Sequence, residues 1–359
     1  MQICFYFPSL KNDQNNAIFG SMYSSFFKQL EVKGINVKFT TDLADIEGDI
    51  LVVSIGSGGE PLAAKAMHRF KGPVILSVYN AYICFYRSFL KRWKSRILFA
   101  YNPDFATLNF EKYNSVGIPY YHFPFGSDEH IFKPLDMPKK YDIAFLGNAD
   151  SGFGREKYIE KLIEYAQSKK LMVFLAGVGW DKFGFPYRIV NHGNETNIIY
   201  NESKVCVNIH NDRQFAGIDK EMDANNRLFD LAMAGCCQIS NGEQVVSKYF
   251  DKNEVVAADN PEKWIDLIDY YLKNETERIG LGLKARERAF KDHNWEKRAT
   301  EFIAVINENY ADYIKRNKKI NFLVTFFRYL DQFIVPTYLF KEIRIIRLIL
   351  IKFGFYTKK

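Results

Sequence analysis

The stretch Tyr141-Asp-Ile-Ala-Phe-Leu-Gly147 decides how the second half of this chain folds. Its apolar residues predict a strand, and a glycine-rich loop then leads through Gly152-Phe-Gly154 to Arg155, where a helical pattern begins. A strand, a loop and a helix in this order are typical of a parallel sheet covered by helices. Phosphate groups are favoured where such a helix starts, because free N–H groups, the helix dipole and a guanidinium all attract them. Gly147 and Arg155 are therefore candidate phosphate-binding residues.

The same alternation of strands and helices extends along the chain in both directions. The first half contains the predicted strands Ile3–Phe7, Val37–Thr40, Ile50–Ile55, Val74–Tyr79 and Tyr120–Phe123, with helical patterns between them. The second half continues with the predicted strands 171–176, 205–210 and 237–240, and from about Pro261 only helices are predicted. This order predicts an α/β protein with two Rossmann-like, doubly wound parallel-sheet domains. We place the first domain at 1–134, the second at 135–315 and a basic tail at 316–359.

The composition fits this architecture. The chain has 359 residues, of which 47% are hydrophobic and 25% charged, as expected for two globular domains. Its five cysteines are scattered and show no C-x-x-C spacing, which argues against a disulfide framework or a zinc cluster. Because Met1 leads directly into a predicted strand, we expect no signal peptide and a cytoplasmic location.

In open α/β sheets, ligands bind outside the carboxyl ends of the strands, so the loops that follow strands should carry the chemistry. In the first domain these loops offer Gly20, near a predicted helix start, and Glu60, after the glycines of Ser54-Ile-Gly-Ser-Gly-Gly59. Gly20 is a candidate for the approach of an anion, or else a plain turn residue. Glu60 is a candidate base, in a loop that also fits a tight turn before a helix.

A fourth loop leads into the segment Asn225-Asn226-Arg227-Leu-Phe-Asp230, at the start of a predicted helix. The carboxylate of Asp230, one turn into the helix, is suited to accept hydrogen bonds from the two hydroxyls of a ribose. The alternative is that Asp230 only balances the helix dipole and that Arg227 is its surface partner.

Residues 141–300 resemble the nucleotide-sugar domain of the CgeB-like group 1 glycosyltransferases. The resemblance runs through Ile143–Gly147 with Arg155, through 200–209 and Arg227–Gly235, and on to His293-Asn-Trp295. It implies two Rossmann-like domains in the GT-B arrangement, with the donor nucleotide bound mainly by the second. It further implies that Asp230 holds the ribose, that Arg155 lies near the diphosphate, and that Gly147, Asn226 and Arg227 line the same site.

Three positions depart from the pattern of this family. The ribose-binding acid is Asp230 rather than a glutamate, Met222 stands where many relatives have another glutamate, and Asn80 follows the strand where several relatives have a histidine. Glu60 and Asn80 are the remaining candidates for catalysis, and both retention and inversion stay open, with retention favoured. No Asp-x-Asp occurs, so we expect no metal ion. We also expect no cofactor, and a UDP-sugar rather than a GDP-sugar as donor.

The net charge of +7 is unevenly distributed. Residues 82–100 carry a net charge of +5 and residues 313–359 carry +9, which leaves −7 for the rest of the chain. On a helix, Phe89 and Trp93 share an apolar face, and Lys91 and Lys94 lie opposite. This composition fits a helix in a membrane interface, or equally a sheet-covering helix with a basic outer face.

The basic tail combines many aromatic and aliphatic residues with cations that include Arg344 and Arg347. Its charges are too closely spaced for a membrane span, so we expect an amphipathic helix on an anionic membrane surface. Nucleic acid ranks second, because aliphatic side chains suit acyl chains better than bases, and a partner subunit ranks third.

Together these observations predict a bacterial glycosyltransferase on the cytoplasmic face of the plasma membrane. It would move a sugar from a nucleotide sugar to a lipid-linked, lipopolysaccharide or capsule-type acceptor in polysaccharide biosynthesis. A sugar-nucleotide epimerase of the same fold and a non-catalytic membrane-bound scaffold are the alternatives.

Overall fold

The computed structural model describes residues 1–8, 16–55, 60–78, 87–103, 110–149, 155–210 and 224–316. Its first sheet has six parallel strands in the order β2-β1-β3-β4-β5-β6. The strands are β1 Gln2–Tyr6, β2 Asn36–Thr40, β3 Ile50–Ile55, β4 Val74–Val78, β5 Ile97–Asn102 and β6 Tyr120–His122. The three central strands β3, β4 and β5 are buried along their whole length, as expected for a parallel sheet that is covered on both faces.

Four helices accompany this sheet: α1 Asn16–Val32, α2 Glu60–Arg69, α3 Arg87–Trp93 and α4 Phe110–Asn114. The strand β5 was missing from the sequence-based prediction. It follows α3 after only three residues, without glycine or proline to mark the boundary. The apolar run that starts at Ile97 therefore reads as a continuation of the preceding helix.

The second sheet has five parallel strands in the order β11-β10-β9-β7-β8. The strands are β7 Tyr141–Leu146, β8 Val173–Ala176, β9 Ser203–Asn208, β10 Gln238–Ser240 and β11 Val256–Ala257. The helices are α5 Glu156–Lys169, α6 Asn194–Asn201, α7 Asn226–Met233, α8 Glu243–Val246, α9 Pro261–Lys273 and α10 Glu275–Asp292. Two parallel sheets with covering helices confirm the predicted fold class.

The helix α7 begins where its sequence favours a start. The side chain of Asn225 accepts a hydrogen bond from the backbone N–H of Leu228, at 3.1 Å, and thereby caps the first turn. From Leu228 to Met233 all side chains are buried, because α10 packs over this helix on its outer side.

The last helix, α11 Trp295–Arg316, returns to the first domain. It packs along α1, and the ring of Phe302 contacts those of Phe5, Phe26, Phe99, Tyr101 and Phe123. We predicted that residues 135–315 form one domain. The structure differs at the end of this range, because the apolar face of α11 is buried against the first sheet.

The linker between the two sheets is held at Ser127. Its backbone N–H donates to the carbonyl of His293 at 2.9 Å, and its carbonyl accepts from the N–H of Trp295 at 3.2 Å. The two points at which the chain passes between the domains are therefore joined by backbone hydrogen bonds.

Candidate functional site

The second sheet reverses its strand order at β7, which has β8 on one side and β9 on the other. A crevice forms at such a reversal, outside the carboxyl ends of the two strands that part there. Gly147 follows β7, and Asn208 ends β9. The helices α5 and α7 both start at this edge of the sheet and bring Arg155 and Arg227 to it.

Gly147 is a point of close approach between three segments. A Cβ atom at this position would collide with the guanidinium of Arg227 and lie 2.9 Å from the ring of Phe145. The carbonyl oxygen of Gly147 accepts a hydrogen bond from the indole N–H of Trp180 at 3.1 Å. Gly177, with φ at +122°, packs its backbone against the same carbonyl. Only glycine at 147 allows Arg227 to lie across the end of β7.

Two guanidiniums meet at this edge, and in the described chain no carboxylate lies within salt-bridge distance of either. Burial, together with the nearby charge of Arg227, lowers the pKa of Arg155 to about 9. Burial also lowers the pKa of Arg227. Within the described ranges neither side chain forms a salt bridge, and Glu156, the acid nearest to Arg155 in sequence, faces Lys182 at 3.6 Å. Two neighbouring cations repel each other, and a bound anion would offset this repulsion.

The surrounding polar atoms are also unsatisfied. Arg227 donates to Oδ1 of Asn208 at 3.0 Å and lies over the ring of Phe145, at 4.8 Å from its centroid. In the described part of the chain, three buried atoms at this edge have no hydrogen-bond partner: Nε of Arg155, Nδ2 of Asn208 and Nε2 of His210. Buried polar atoms are rarely left unpaired, so this group is suited to a polar ligand.

The structure brings Gly147, Arg155 and Arg227 together, as their positions at the ends of β7 and the starts of α5 and α7 predicted. Asn208 and His210 were not among the predicted site residues. A signal was present, because both lie at the carboxyl end of a predicted strand, where ligands of open sheets bind.

Asp230 lies one turn into α7, as predicted, and the protein itself already binds its carboxylate. It is only 3% exposed, and the carboxylate accepts hydrogen bonds from Ser127 at 2.8 Å and from Asn226 at 3.3 Å. Nε2 of His192 lies 3.0 Å from Oδ2, the oxygen that also accepts from Asn226. The carboxylate thus joins helix α7 to the interdomain linker and to the loop before α6. Ser127 and His192 were missed, since each is far from Asp230 in sequence.

Of the residues predicted for the site in the first domain, Asn80 lies outside the described residues, whereas Glu60 and Gly20 lie within them. Glu60 begins helix α2, at the carboxyl edge of the first sheet. Helix α1 starts at Asn16, so Gly20 is its fifth residue and not at its free end. Because the N–H of a fifth helical residue bonds within the helix, the predicted anion contact at Gly20 is wrong.

The predicted membrane contacts on α3 are corrected in part. Phe89 and Trp93 are each 1% exposed and pack in the core of the first domain, so neither can contact a membrane. Arg96 is buried as well and donates to the carbonyls of Met67, Phe70 and Gly72. Lys91 is exposed and Lys94 is half-buried. The helix therefore covers the sheet and presents a basic outer face, because the aromatic side chains fill the space beneath it.

The tail with Arg344 and Arg347 lies outside the described residues. Among the helices that the structure does describe, none is long and apolar enough to cross a membrane. The described residues also contain no cluster of three or more side chains suited to hold a metal ion.

Comparison with known protein families gives a match within the second half of the chain. A family model described as glycosyl transferase-like matches residues 155–304, which include α5, β9, α7 and α10. This part of the chain is therefore similar to that family. Comparison with curated protein sequences gives no match.

Solved structures share the fold over most of the chain. Sucrose-phosphate synthase from Thermosynechococcus elongatus is 12% identical, with a TM-score of 0.57 over 87% of this chain and 100% of its own. T4 phage BGT in complex with its substrate UDP-glucose is 14% identical, with a TM-score of 0.59 over 86% and 99%. Anabaena HepE in complex with UDP is 9% identical, with a TM-score of 0.59 over 86% and 100%. At these identities the likeness shows the two-domain GT-B fold alone.

Proposed function

We propose that this protein is a CgeB-like group 1 glycosyltransferase that takes a sugar from a nucleotide sugar, with a UDP-sugar favoured over a GDP-sugar. The observation that carries the proposal is the pair Arg155 and Arg227, two guanidiniums at the switch point of the second sheet with no carboxylate partner in the described chain. A diphosphate is a dianion with several acceptor oxygens, and guanidiniums bind such groups with charge-assisted hydrogen bonds.

In this proposal Arg155 and Arg227 bind the diphosphate and stabilise the negative charge that grows on it as the bond to the sugar breaks. Gly147 lets the diphosphate approach the end of β7. Two cations at this place do the work for which other enzymes use a metal ion, so we propose metal-independent transfer with retention at the sugar carbon. Activity that persists in excess EDTA is the expected result.

Asp230 belongs to the donor site through its neighbours. Its carboxylate already accepts hydrogen bonds from Ser127 and Asn226 and lies against His192. It is one methylene shorter than the glutamate of related enzymes, and we propose that it positions Asn226 and His192 at the ribose. A direct contact with the ribose would require one of these hydrogen bonds to be exchanged.

We further propose that the acceptor is lipid-linked, or a lipopolysaccharide or capsule-type glycan, on the cytoplasmic face of a bacterial membrane. The support is the distribution of charge. Residues 313–359 carry +9 and α3 presents exposed cations, whereas the rest of the chain is acidic. Anionic lipids attract such segments by about 1 kcal/mol for each basic residue.

The donor is tested first with a panel of nucleotide sugars and the full-length protein. We expect a UDP-sugar to raise the midpoint of thermal unfolding, because ligands that bind the native state stabilise it. The sugar nucleotide that binds is then supplied in radiolabelled form with bacterial membrane lipids, and label in the lipid fraction is the expected product. Release of an altered nucleotide sugar without an acceptor would instead identify an epimerase.

Membrane association is tested by removing residues 317–359. The truncated protein should no longer sediment with vesicles that contain anionic lipid, and should still bind nucleotide. Undiminished sedimentation would contradict the proposed role of the tail.

A further inference from the structure

His210 lies two residues beyond the end of β9 and is 5% exposed. The charged groups of the described chain that act on its ring are Arg227 on α7 and Arg155 at the start of α5. On the side of β10 its neighbours are Ser240 and Asn241, which are neutral. Within the described residues, the charged groups that act on the imidazole are thus both positive.

The hydrogen bonds of the ring assign its proton. Nδ1 lies 3.2 Å from the carbonyl oxygen of Asn241, and a carbonyl can only accept, so Nδ1 carries the hydrogen. In the neutral ring Nε2 then holds a lone pair. Nε2 is buried, and the described residues give it no hydrogen-bond partner.

The surroundings of the ring favour its neutral form. Burial, together with the charges of Arg227 and Arg155, lowers the pKa of His210 to about 4. A dianion placed between the guanidiniums offsets both charges and favours the protonated ring. The same dianion also offers oxygen acceptors, and these are what a protonated Nε2 would need.

We propose that binding of the donor's diphosphate draws one proton from solvent onto Nε2 of His210, and that the resulting N–H donates a hydrogen bond to a phosphate oxygen. This rests on the proposed function, because it takes a nucleotide sugar as the ligand. No covalent bond forms or breaks in this step other than the N–H bond. The positive ring then stabilises the diphosphate as it departs with the electron pair of the sugar–oxygen bond.

The test is calorimetry of UDP-glucose binding to the full-length protein, in two buffers that differ in ionisation enthalpy, between about pH 5 and pH 8. A nucleotide sugar is used because each of its phosphates is substituted on two sides and has no proton that titrates near neutral pH, whereas the terminal phosphate of free UDP titrates near pH 6 and would exchange protons itself. If only GDP-mannose binds, it serves as the probe.

We expect the wild-type protein to take up as much as one proton per site at the acidic end of this range. As the pH rises from the pKa of the free ring, about 4, to the higher pKa of the ring in the complex, the affinity should fall by up to about tenfold per pH unit, as one linked proton requires, and it should level off above that pH. His210→Gln keeps an amide N–H near the position of Nε2 but cannot titrate. It should bind with no proton uptake and with an affinity that does not change with pH.

His293→Gln is the matched control. This histidine is also buried and neutral, but both of its ring nitrogens have protein partners, so its replacement should leave the proton uptake unchanged. Binding of UDP-glucose without proton uptake in the wild type, or with equal uptake in His210→Gln, would overturn this proposal alone. A wild-type protein that binds neither UDP-glucose nor GDP-mannose would overturn the proposed function as well. Because the absence of proton uptake in the wild type overturns the proposal without any variant, the proposal stays falsifiable if a His210 variant fails to fold.

Discussion

Two arginine–histidine clusters lie in the second half of the chain, and they differ in the groups that surround them. At the end of β9, His210 stands with Arg155 and Arg227, and the described chain places no acid in a salt bridge with either arginine. At the end of α10, His293 stands with Arg288 and Arg298 beside an open cavity of about 550 Å³. Both histidines are buried, and both have a pKa lowered to about 4, mainly by burial.

The second cluster is saturated by the protein itself. Arg288 pairs with Asp251, Glu254 and Asp292, and Arg298 pairs with Glu301 at 3.1 Å. Nε2 of His293 donates to the carbonyl of Tyr249 at 3.0 Å, and Nδ1 accepts from Arg298 at 3.2 Å. The comparison teaches that a buried arginine alone does not mark a binding site. A buried arginine can bind a ligand only if some of its N–H donors have no acceptor within the protein.

The largest expected effect is on stability, from Arg298→Ala. Arg298 is buried and donates to the carbonyls of Pro124 and Phe125 as well as to His293, so its removal leaves several acceptors unpaired. We expect a loss of about 3–4 kcal/mol in the free energy of unfolding, measured by urea denaturation. Nucleotide affinity should not change under native conditions. A loss of affinity as large as that of Arg155→Ala would show that the clusters are not functionally distinct.

The second prediction concerns pH. The unfolded chain binds protons at histidine near pH 6.5, but the folded protein keeps His293 and His210 neutral down to about pH 4. The free energy of unfolding should therefore fall as the pH drops from about 6.5 to about 4, by up to about 3 kcal/mol for each buried histidine.

Denaturation of His293→Gln over the same pH range should show about half of the wild-type dependence. A saturating nucleotide sugar should reduce the part that is due to His210 and leave the part that is due to His293. If the nucleotide sugar reduced the pH dependence due to His293 as much as that due to His210, the two clusters would not differ in function.

The third prediction is a loss of affinity in Arg155→Ala. A charge-assisted hydrogen bond contributes about 1.5–3 kcal/mol, so binding of the nucleotide should weaken by about tenfold to a hundredfold. Stability should stay equal or rise, because the repulsion between Arg155 and Arg227 is removed. Arg288→Ala is the matched control for calorimetry, with reduced stability and unchanged affinity. Wild-type affinity in Arg155→Ala would exclude it from the diphosphate site.

The smallest expected effect belongs to Lys297→Ala. Lys297 pairs with Asp292 at 2.7 Å on the partly exposed rim of the saturated cluster. Such pairs contribute less than about 1 kcal/mol and are screened by salt. We expect a small loss of stability at low ionic strength that disappears at high ionic strength. Thermal unfolding at the two ionic strengths measures it. A large loss that is independent of salt would indicate that the cluster depends on its rim more than on Arg298.

Much of the fold could be predicted because its signals are local. Helix α7 was expected at 225–234 and extends from Asn226 to Met233, since its asparagine cap and its glycine stop both lie within a few residues. Helix α5 was likewise expected from Arg155 onward and extends from Glu156 to Lys169. The strand β5 was missed because no turn residue separates it from α3.

Contacts between distant residues were not predictable in the same way. Phe89 and Trp93 form an apolar face that suits a membrane as well as a sheet, and only the packing of α3 on the first sheet decides between them. Asp230 was expected at a ribose. Its burial depends on Ser127, 103 residues earlier, which no local pattern connects to it.

The sequence by itself determined the two parallel-sheet domains and the edge at which Gly147, Arg155 and Arg227 gather, because strand ends and helix starts are encoded in neighbouring residues. Only the tertiary structure decided which arginines and histidines have partners and which do not. The free energy of a buried charge depends on every group within a few ångströms of it, and those groups come from strands and helices far apart in the chain.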